Sequence, residues 1–449
     1  EEWRQSRGDV CRQSFAANKG SFRRIGASLK ESGSVCIRMR AVVVDSQNVK
    51  YVKDMKVPTP EFDELQIRVV ACALDELDIK VQKGEFSSLV SYPLTPGYQI
   101  SGTVQQMGSA VRGFSKGDQV VAILPLDNGR GGLAEFVNVK HINAIKKPNN
   151  VSFSDAAACL LDGLRVYHTL HYLAHVKPGH FITIISHSPA LNRICVELVR
   201  GMKDVRVIVV ATTPPELNGL EGQGSHVVRV VDPRCESVVS CIMEETGGLG
   251  VDAVLDFQDL RGTSDKPHTQ PTNLENHNNH DFKSNDDMDS VNPKPAGKHD
   301  NTLADGLSDR KDVDAIGEVD GLGTHAAEGG ESSSLEDFFV PKALIIRCLA
   351  VHGKWCTTSQ TLQLQAHESM QLAMRSASVC FLFEQAWLLS PRHHGKYLHI
   401  LEDLMASLKK GVFRPVIAKT VKLDEVRGSL RLLKSTSKSG KVVVCVADR

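Results

Sequence analysis

The chain has 449 residues, 41% of them hydrophobic, which is material for two or three domains with buried cores. Lys plus Arg and Asp plus Glu balance at 53 each, so no global field points to nucleic acid or an anionic membrane as partner. No uncharged apolar run nears the roughly 20 residues that span a bilayer. The 11 cysteines show no C-x-x-C pair, which fits reduced, buried thiols in a cytoplasmic protein.

Residues 1–38 are polar and mixed, and are expected to be a disordered or artefactual leader with Met39 as the natural start. From 39 to about 150, short apolar runs with Gly/Pro punctuation predict strands at 40–44, 65–72, 100–105, 118–124 and 133–139, the pattern of a small β-barrel. From about 152 the period changes. Ser152 or Ser154 is placed to cap a helix through Ala156 to Leu161, and a second helix is expected over 164–173.

The stretch Phe181 to Met202 organises the rest. Phe181–Ile185 has the β-branched content of a buried strand, and Leu191, Ile194, Cys195, Leu198 and Val199 share one helical face. An apolar run at 205–210 follows, completing a strand–helix–strand unit. Strands at 227–231 and 251–256, with a helix at 237–246 between them, extend a parallel doubly wound sheet.

Residues 258–342 interrupt this alternation. They hold 18 Asp/Glu against 8 Lys/Arg and few aromatics, the composition of a disordered acidic insertion able to serve as a contact segment for a protein partner. The sheet is expected to resume as a strand over 343–351, followed by a strand at 378–383, a helix at 395–408 and a last strand at 441–446.

Several motifs then converge. They are Pro93-Leu-Thr-Pro96-Gly97-Tyr-Gln-Ile-Ser-Gly102, Gly108, Lys116-Gly117-Asp118, Gly131-Gly132-Leu-Ala-Glu-Phe-Val137 and Val176-Lys-Pro-Gly179. Together they resemble the medium-chain dehydrogenase/reductase superfamily, in its zinc-free quinone oxidoreductase (zeta-crystallin) branch. The resemblance implies an α/β fold with a GroES-like β-barrel domain over 39–155, completed by 400–449. A Rossmann domain over 156–399, interrupted by 258–342, accompanies it. It also implies NADPH between the two, reduction of a quinone or an activated alkene, and a homodimer. The cofactor carries the hydride chemistry in such enzymes.

Against that pattern the site residues depart one by one. After Pro96-Gly97 come Tyr98 and Gln99, which are not a zinc pair, and Cys72 has no partners in sequence, so no metal site is expected. Ser186, His187, Ser188, Ala190 and Leu191 occupy the turn where glycines would cradle a pyrophosphate, and no glycine is there. Ser188-Pro189 still makes a sound helix start, with Ser as N-cap and Pro at the first position. Thr212 and Thr213 are candidates for the ribose end, although a polar turn before Pro214-Pro215 is the preferred reading. His352 and Gly353 are further cofactor candidates. Asp75 and Tyr98 are the catalytic candidates, with a helix N-cap the preferred reading of Asp75. Two functions follow: an NADPH-dependent reductase with weakened cofactor binding, or a catalytically inactive binding or scaffold member.

Overall fold

Alternating burial along Met39–Val44 draws the first strand onto the core. In a computed structural model, which describes residues 37–45, 48–211, 226–258, 339–436 and 440–447, β1 (Arg38–Asp45) pairs antiparallel with β2 (Asn48–Lys56). The strand begins at Arg38, the last position of the span expected as a leader. Most of that leader and of the expected insertion lies outside the described residues, as do Thr212 and Thr213. β2 is absent from the sequence expectations because exposed Lys50, Lys53 and Lys56 hide its pattern.

β3 (Glu64–Leu74) is the hub of a seven-stranded sheet. After it come α1 (Glu76–Gln82), β4 (Gln99–Met107), β5 (Gln119–Ile123), β6 (Phe136–Lys140) and β7 (Ala144–Lys146). β3 pairs antiparallel with both β4 and β6. Two of the sequence motifs meet here. The Gly132 amide donates to the Gly97 carbonyl at 2.7 Å and the Leu133 amide to that of Pro96 at 3.0 Å. A Cβ on Gly131 would lie 2.1 Å from the Pro96 carbonyl oxygen, a distance no side chain tolerates.

Ser152 caps α2 (Phe153–Ala158), its Oγ accepting from the Asp155 amide at 3.0 Å. α3 (Leu160–His168) follows and passes into a π turn over Thr169–Leu173, where an uninterrupted helix was expected. Then come β8 (Phe181–Ser186), α4 (Pro189–Arg200), β9 (Arg206–Ala211), β10 (Val227–Val231), α5 (Val238–Glu245) and β11 (Val251–Asp256). Beyond position 338 the chain forms α6 (Lys342–Cys348), β12 (Leu349–Thr357), α7 (Ala366–Met374) and β13 (Ser378–Phe381). It finishes with α8 (Leu398–Lys410), β14 (Ile417–Lys422), α9 (Val426–Thr436) and β15 (Lys441–Cys445).

The six strands of the second sheet are all parallel, in the order β10-β9-β8-β11-β12-β13. Period-2 alternation sends Ile184, Val209, Leu255 and Cys356 into one core and Ile185, Val210, Val254 and Trp355 into the other. The strand order reverses between β8 and β11, so a ligand crevice lies outside Ser186 and Asp256 at their carboxyl ends. The expected fold class, a barrel domain plus a doubly wound parallel sheet, is the one adopted. The final strands return to the first sheet, where β15 pairs with β3.

One expected strand is a helix. Residues 342–348 coil into α6, and the strand starts at Leu349. A short continuous apolar run such as Ala-Leu-Ile-Ile carries no period that separates a buried strand from a buried helix. Just before it, the Gln258 side chain grips the returning chain. Its Oε1 accepts from the Val340 amide at 2.8 Å, and its Nε2 donates to the Val340 carbonyl at 3.4 Å. Gln258 is in turn held by Asp256, which also accepts from Trp355 Nε1 at 2.9 Å and Thr357 Oγ1 at 3.2 Å. Gln258 and 339–342 therefore belong to the ordered framework and not to the insertion.

Candidate functional site

Between the carboxyl ends of the parallel strands and α1 lies an open-mouthed cleft. Glu76, Leu77, Lys80 and Phe86 line one wall; Leu191, Phe257, Thr358 and Leu382 to Glu384 line the other. Phe86 and Phe383 stack across it with centroids 5.9 Å apart, an arrangement aromatic pairs favour.

Arg165 forms part of the lining and heads a buried ion cluster. It grips Asp75 with both terminal nitrogens, at 2.7 and 3.1 Å, and reaches Glu384 at 2.6 Å and Asp162 at 3.3 Å. Lys441 bonds the same Asp75 and sits 2.8 Å from Asp162. The cluster joins the end of β3, helix α3, the segment after β13 and the start of β15.

Burial pushes the Asp75 carboxyl up, but Arg165 and then Lys441 outweigh it and hold the group well below the usual carboxylate range. For Asp162 burial wins over Lys441 and the carboxyl is pushed up. The difference is geometric. Both oxygens of Asp75 are held by cations, whereas Oδ2 of Asp162 has no hydrogen-bond partner among the described residues.

The N-cap reading of Asp75 also holds in the geometry. Its Oδ1 accepts from the Leu77 amide at 3.4 Å, and Asp78 Oδ2 accepts from the Asp75 amide at 2.9 Å, a capping box. As a catalytic candidate Asp75 is enclosed: its side chain is 2% exposed and both oxygens are engaged. Tyr98 is also buried, its phenol pushed up by burial, and it lies outside the residues lining the cleft.

Asp78 gives a pH prediction. Burial pushes its carboxyl up to about 7, against the Asp75 and Gly97 amides that donate to it. A carboxyl raised on folding contributes most below its unfolded value of about 4 and loses that contribution as pH rises to its folded value. Stability should therefore fall between about pH 4 and 7, by up to roughly 1.4 kcal/mol per pH unit from this group. Asp78→Asn should flatten that slope in urea denaturation at pH 4.5, 5.5 and 6.5; parallel curves for variant and wild type would refute the assignment.

At the switch point, Ser188 caps α4 and Pro189 takes its first position, as the sequence indicates. The consequence for an anion is direct. The Ser188 amide donates to Ser186 Oγ at 2.9 Å, the Leu191 amide to Ser188 Oγ at 3.4 Å and the Asn192 amide to the Ser188 carbonyl at 3.0 Å. Pro189 has no N–H. Of positions 188–192 that leaves Ala190 alone, whose Cβ crowds a turn where glycine would let a pyrophosphate approach. His187 is half-buried beside it, while Ala190 and Leu191 are buried and Leu191 reaches the cleft wall. These residues do not fit a tightly held dinucleotide pyrophosphate.

His352 and Gly353 are corrected as cofactor candidates. They lie inside β12, with its carboxyl end at Thr357 four to five residues on, at the far end of the sheet from Ser186 to Leu191. They looked adjacent to a strand end only because α6 reads as a strand.

Cys72 and Gln99, the residues near the ligand positions of the zinc-dependent pattern, are both buried. Burial pushes the Cys72 thiol well up, and Gln99 Oε1 accepts from the Leu161 amide at 3.2 Å. Among the described residues no group of three His, Cys, Asp or Glu is placed to hold a metal. No helix among them is long and apolar enough to cross a membrane.

Arg165, Asp162, Glu384 and Lys441 are absent from the sequence candidates. One signal was available: Asp162 and Arg165, three apart, interrupt the apolar run from Ala156 to Val166. Charges facing a core need partners.

Comparison with known proteins agrees with this architecture. The alcohol dehydrogenase GroES-like domain matches residues 61–149, and the zinc-binding dehydrogenase family matches 338–444. Mouse quinone oxidoreductase-like protein 1 is 30% identical over 391 residues, covering 86% of this chain and 92% of that protein. In fold, the chain resembles Escherichia coli quinone oxidoreductase complexed with NADPH, at a TM-score of 0.64 and 16% identity over 91% of this chain and 100% of that one. CurK enoyl reductase gives 0.63 and 18% over 92% and 100%. An identity of 30% sustained over nearly the whole of one relative, on a barrel joined to a doubly wound sheet, makes the chain a member of the medium-chain dehydrogenase/reductase superfamily, in the family of quinone oxidoreductase-like protein 1.

Proposed function

We propose that the chain is a quinone oxidoreductase-like protein whose cleft takes a quinone or an enone, and whose NADPH-dependent reduction is slow because nucleotide binding is weakened. The observation that carries this is the self-satisfied start of α4, where Ser186 and Ser188 occupy amides that a pyrophosphate would need. The names of the relatives, a quinone oxidoreductase with NADPH and an enoyl reductase, support the substrate class. Half-buried Phe383, backed by the stacked and buried Phe86, offers an apolar ring at the cleft suited to a conjugated substrate.

A thermal or chemical denaturation series with NADPH tests the cofactor half. A ligand in hundredfold excess over its Kd stabilises by about 2.7 kcal/mol. Here roughly 1 mM NADPH should stabilise by less than about 0.5 kcal/mol, the value near one Kd. A shift of the hundredfold size would overturn the weakened site.

The second reading, an inactive binding protein, draws on Arg165 and Glu384, two cleft-lining residues held to each other by an ion pair. Consumption of NADPH on adding naphthoquinone supports the reductase. Quinone binding with no NADPH oxidation at any nucleotide concentration supports the binding protein instead.

A further inference from the structure

β12 and β13 run parallel at the edge of the six-stranded sheet, and their register sets Cys356 directly opposite Cys380. Both belong to the same core face, Cys356 1% exposed and Cys380 half-buried. Neighbouring strands lie about 4.8 Å apart, inside the Cα separation of about 4.4–6.8 Å that a disulfide needs. Both cysteines are free thiols.

We propose that Cys356 and Cys380 are a peroxide-oxidisable dithiol, closing to a cross-strand disulfide between β12 and β13. The local chemistry divides the two roles. The facing Cys356 thiol, and then Lys354 on the same strand face, outweigh burial and pull Cys380 down to about 7. The same pairing, and then burial, pushes the Cys356 thiol up. Cys159 and Cys195 contrast with this: burial pushes both thiols up, and they lack such a partner. A thiolate near neutral pH on an outer strand is the nucleophile; the buried thiol is the resolving group.

The Cys380 thiolate attacks one peroxide oxygen, the O–O bond breaks, and hydroxide leaves and is protonated to water. Cys380 is then a sulfenic acid. Cys356 attacks that sulfur, its proton goes to the departing hydroxide, and a second water forms. Two thiols and hydrogen peroxide give one disulfide and two waters, with two electrons passing to peroxide. The bond would fasten strands whose next residues, Thr358 and Leu382 to Glu384, line the cleft.

The test uses the reduced full chain, titrated with hydrogen peroxide, alkylated under denaturing conditions and mapped by peptide mass without reductant. The expected product joins the Cys356 and Cys380 peptides with loss of two hydrogens, while Cys159 and Cys195 stay alkylatable. Before oxidation Cys380 should alkylate at least about tenfold faster than either of those two. In Cys356→Ser the sulfenic acid should persist and be trapped at Cys380 by dimedone; Cys380→Ser should give neither product. The wild-type map stands alone if a variant misfolds. Recovery of both cysteines as free thiols after other cysteines have oxidised overturns the proposal, as does a bond from Cys380 to any cysteine but Cys356.

Discussion

Arg165→Met should destabilise the protein by about 3–5 kcal/mol, the usual result of removing one partner from a buried ion set. The guanidinium is 13% exposed and touches three carboxylates. Without it, Asp75 and Glu384 remain buried with Lys441 as the cation in contact with Asp75. The size comes from the stranded carboxylates more than from the lost attraction. Two further readouts follow. In the wild type Asp75 is depressed, so its contribution is present above about pH 4 and fades as pH falls towards its folded value. In the variant Asp75 can take up a proton instead, so the deficit should narrow on acidification from pH 7 to 5. Arg165→Met combined with Asp75→Asn should recover part of the loss. Urea denaturation at the two pH values measures all three. A deficit below about 1 kcal/mol, the range of exposed pairs, would show that water reaches the cluster.

Opening the start of α4 should restore nucleotide affinity. In Ser188→Gly combined with Pro189→Gly, the Leu191 amide loses its side-chain acceptor and position 189 gains an N–H. Each hydrogen bond to a charged group contributes about 1.5–3 kcal/mol, and each 1.4 kcal/mol is about tenfold in Kd. NADPH should bind at least about tenfold more tightly, by titration calorimetry or nucleotide fluorescence. The opposing effect is small: Ser to Gly at an N-cap costs a few tenths of a kcal/mol, and Gly at 189 adds roughly 1 kcal/mol of helix penalty. Unchanged affinity in a folded variant would place the obstacle elsewhere in the crevice.

The sheet was legible because its strands are apolar runs of strand length bounded by turns, and because Ser188-Pro189 states a helix start in two residues. Residues 343–351 read as one strand for want of a period, and that reading sets His352 and Gly353 at the wrong end of the sheet. The glycine-free turn was visible in sequence, but its chemistry was not: that Ser186 and Ser188 occupy the amides depends on side-chain direction. The ion cluster lay further out of reach. Asp75 and Lys441 stand 366 positions apart, and no local pattern couples them; only Asp162 and Arg165 within an apolar helix hinted that cations and carboxylates meet inside.

The grip of Gln258 on Val340 has an engineering consequence. It sets the departing and returning chain side by side, so the sheet experiences one fixed stem whatever is attached to it. For any flexible connection, doubling the span changes the closure cost by only about 0.6 kcal/mol. Positions 258 and 340 therefore form a grafting port, where a reporter domain with neighbouring termini could replace the native span while the framework on either side stays as it is.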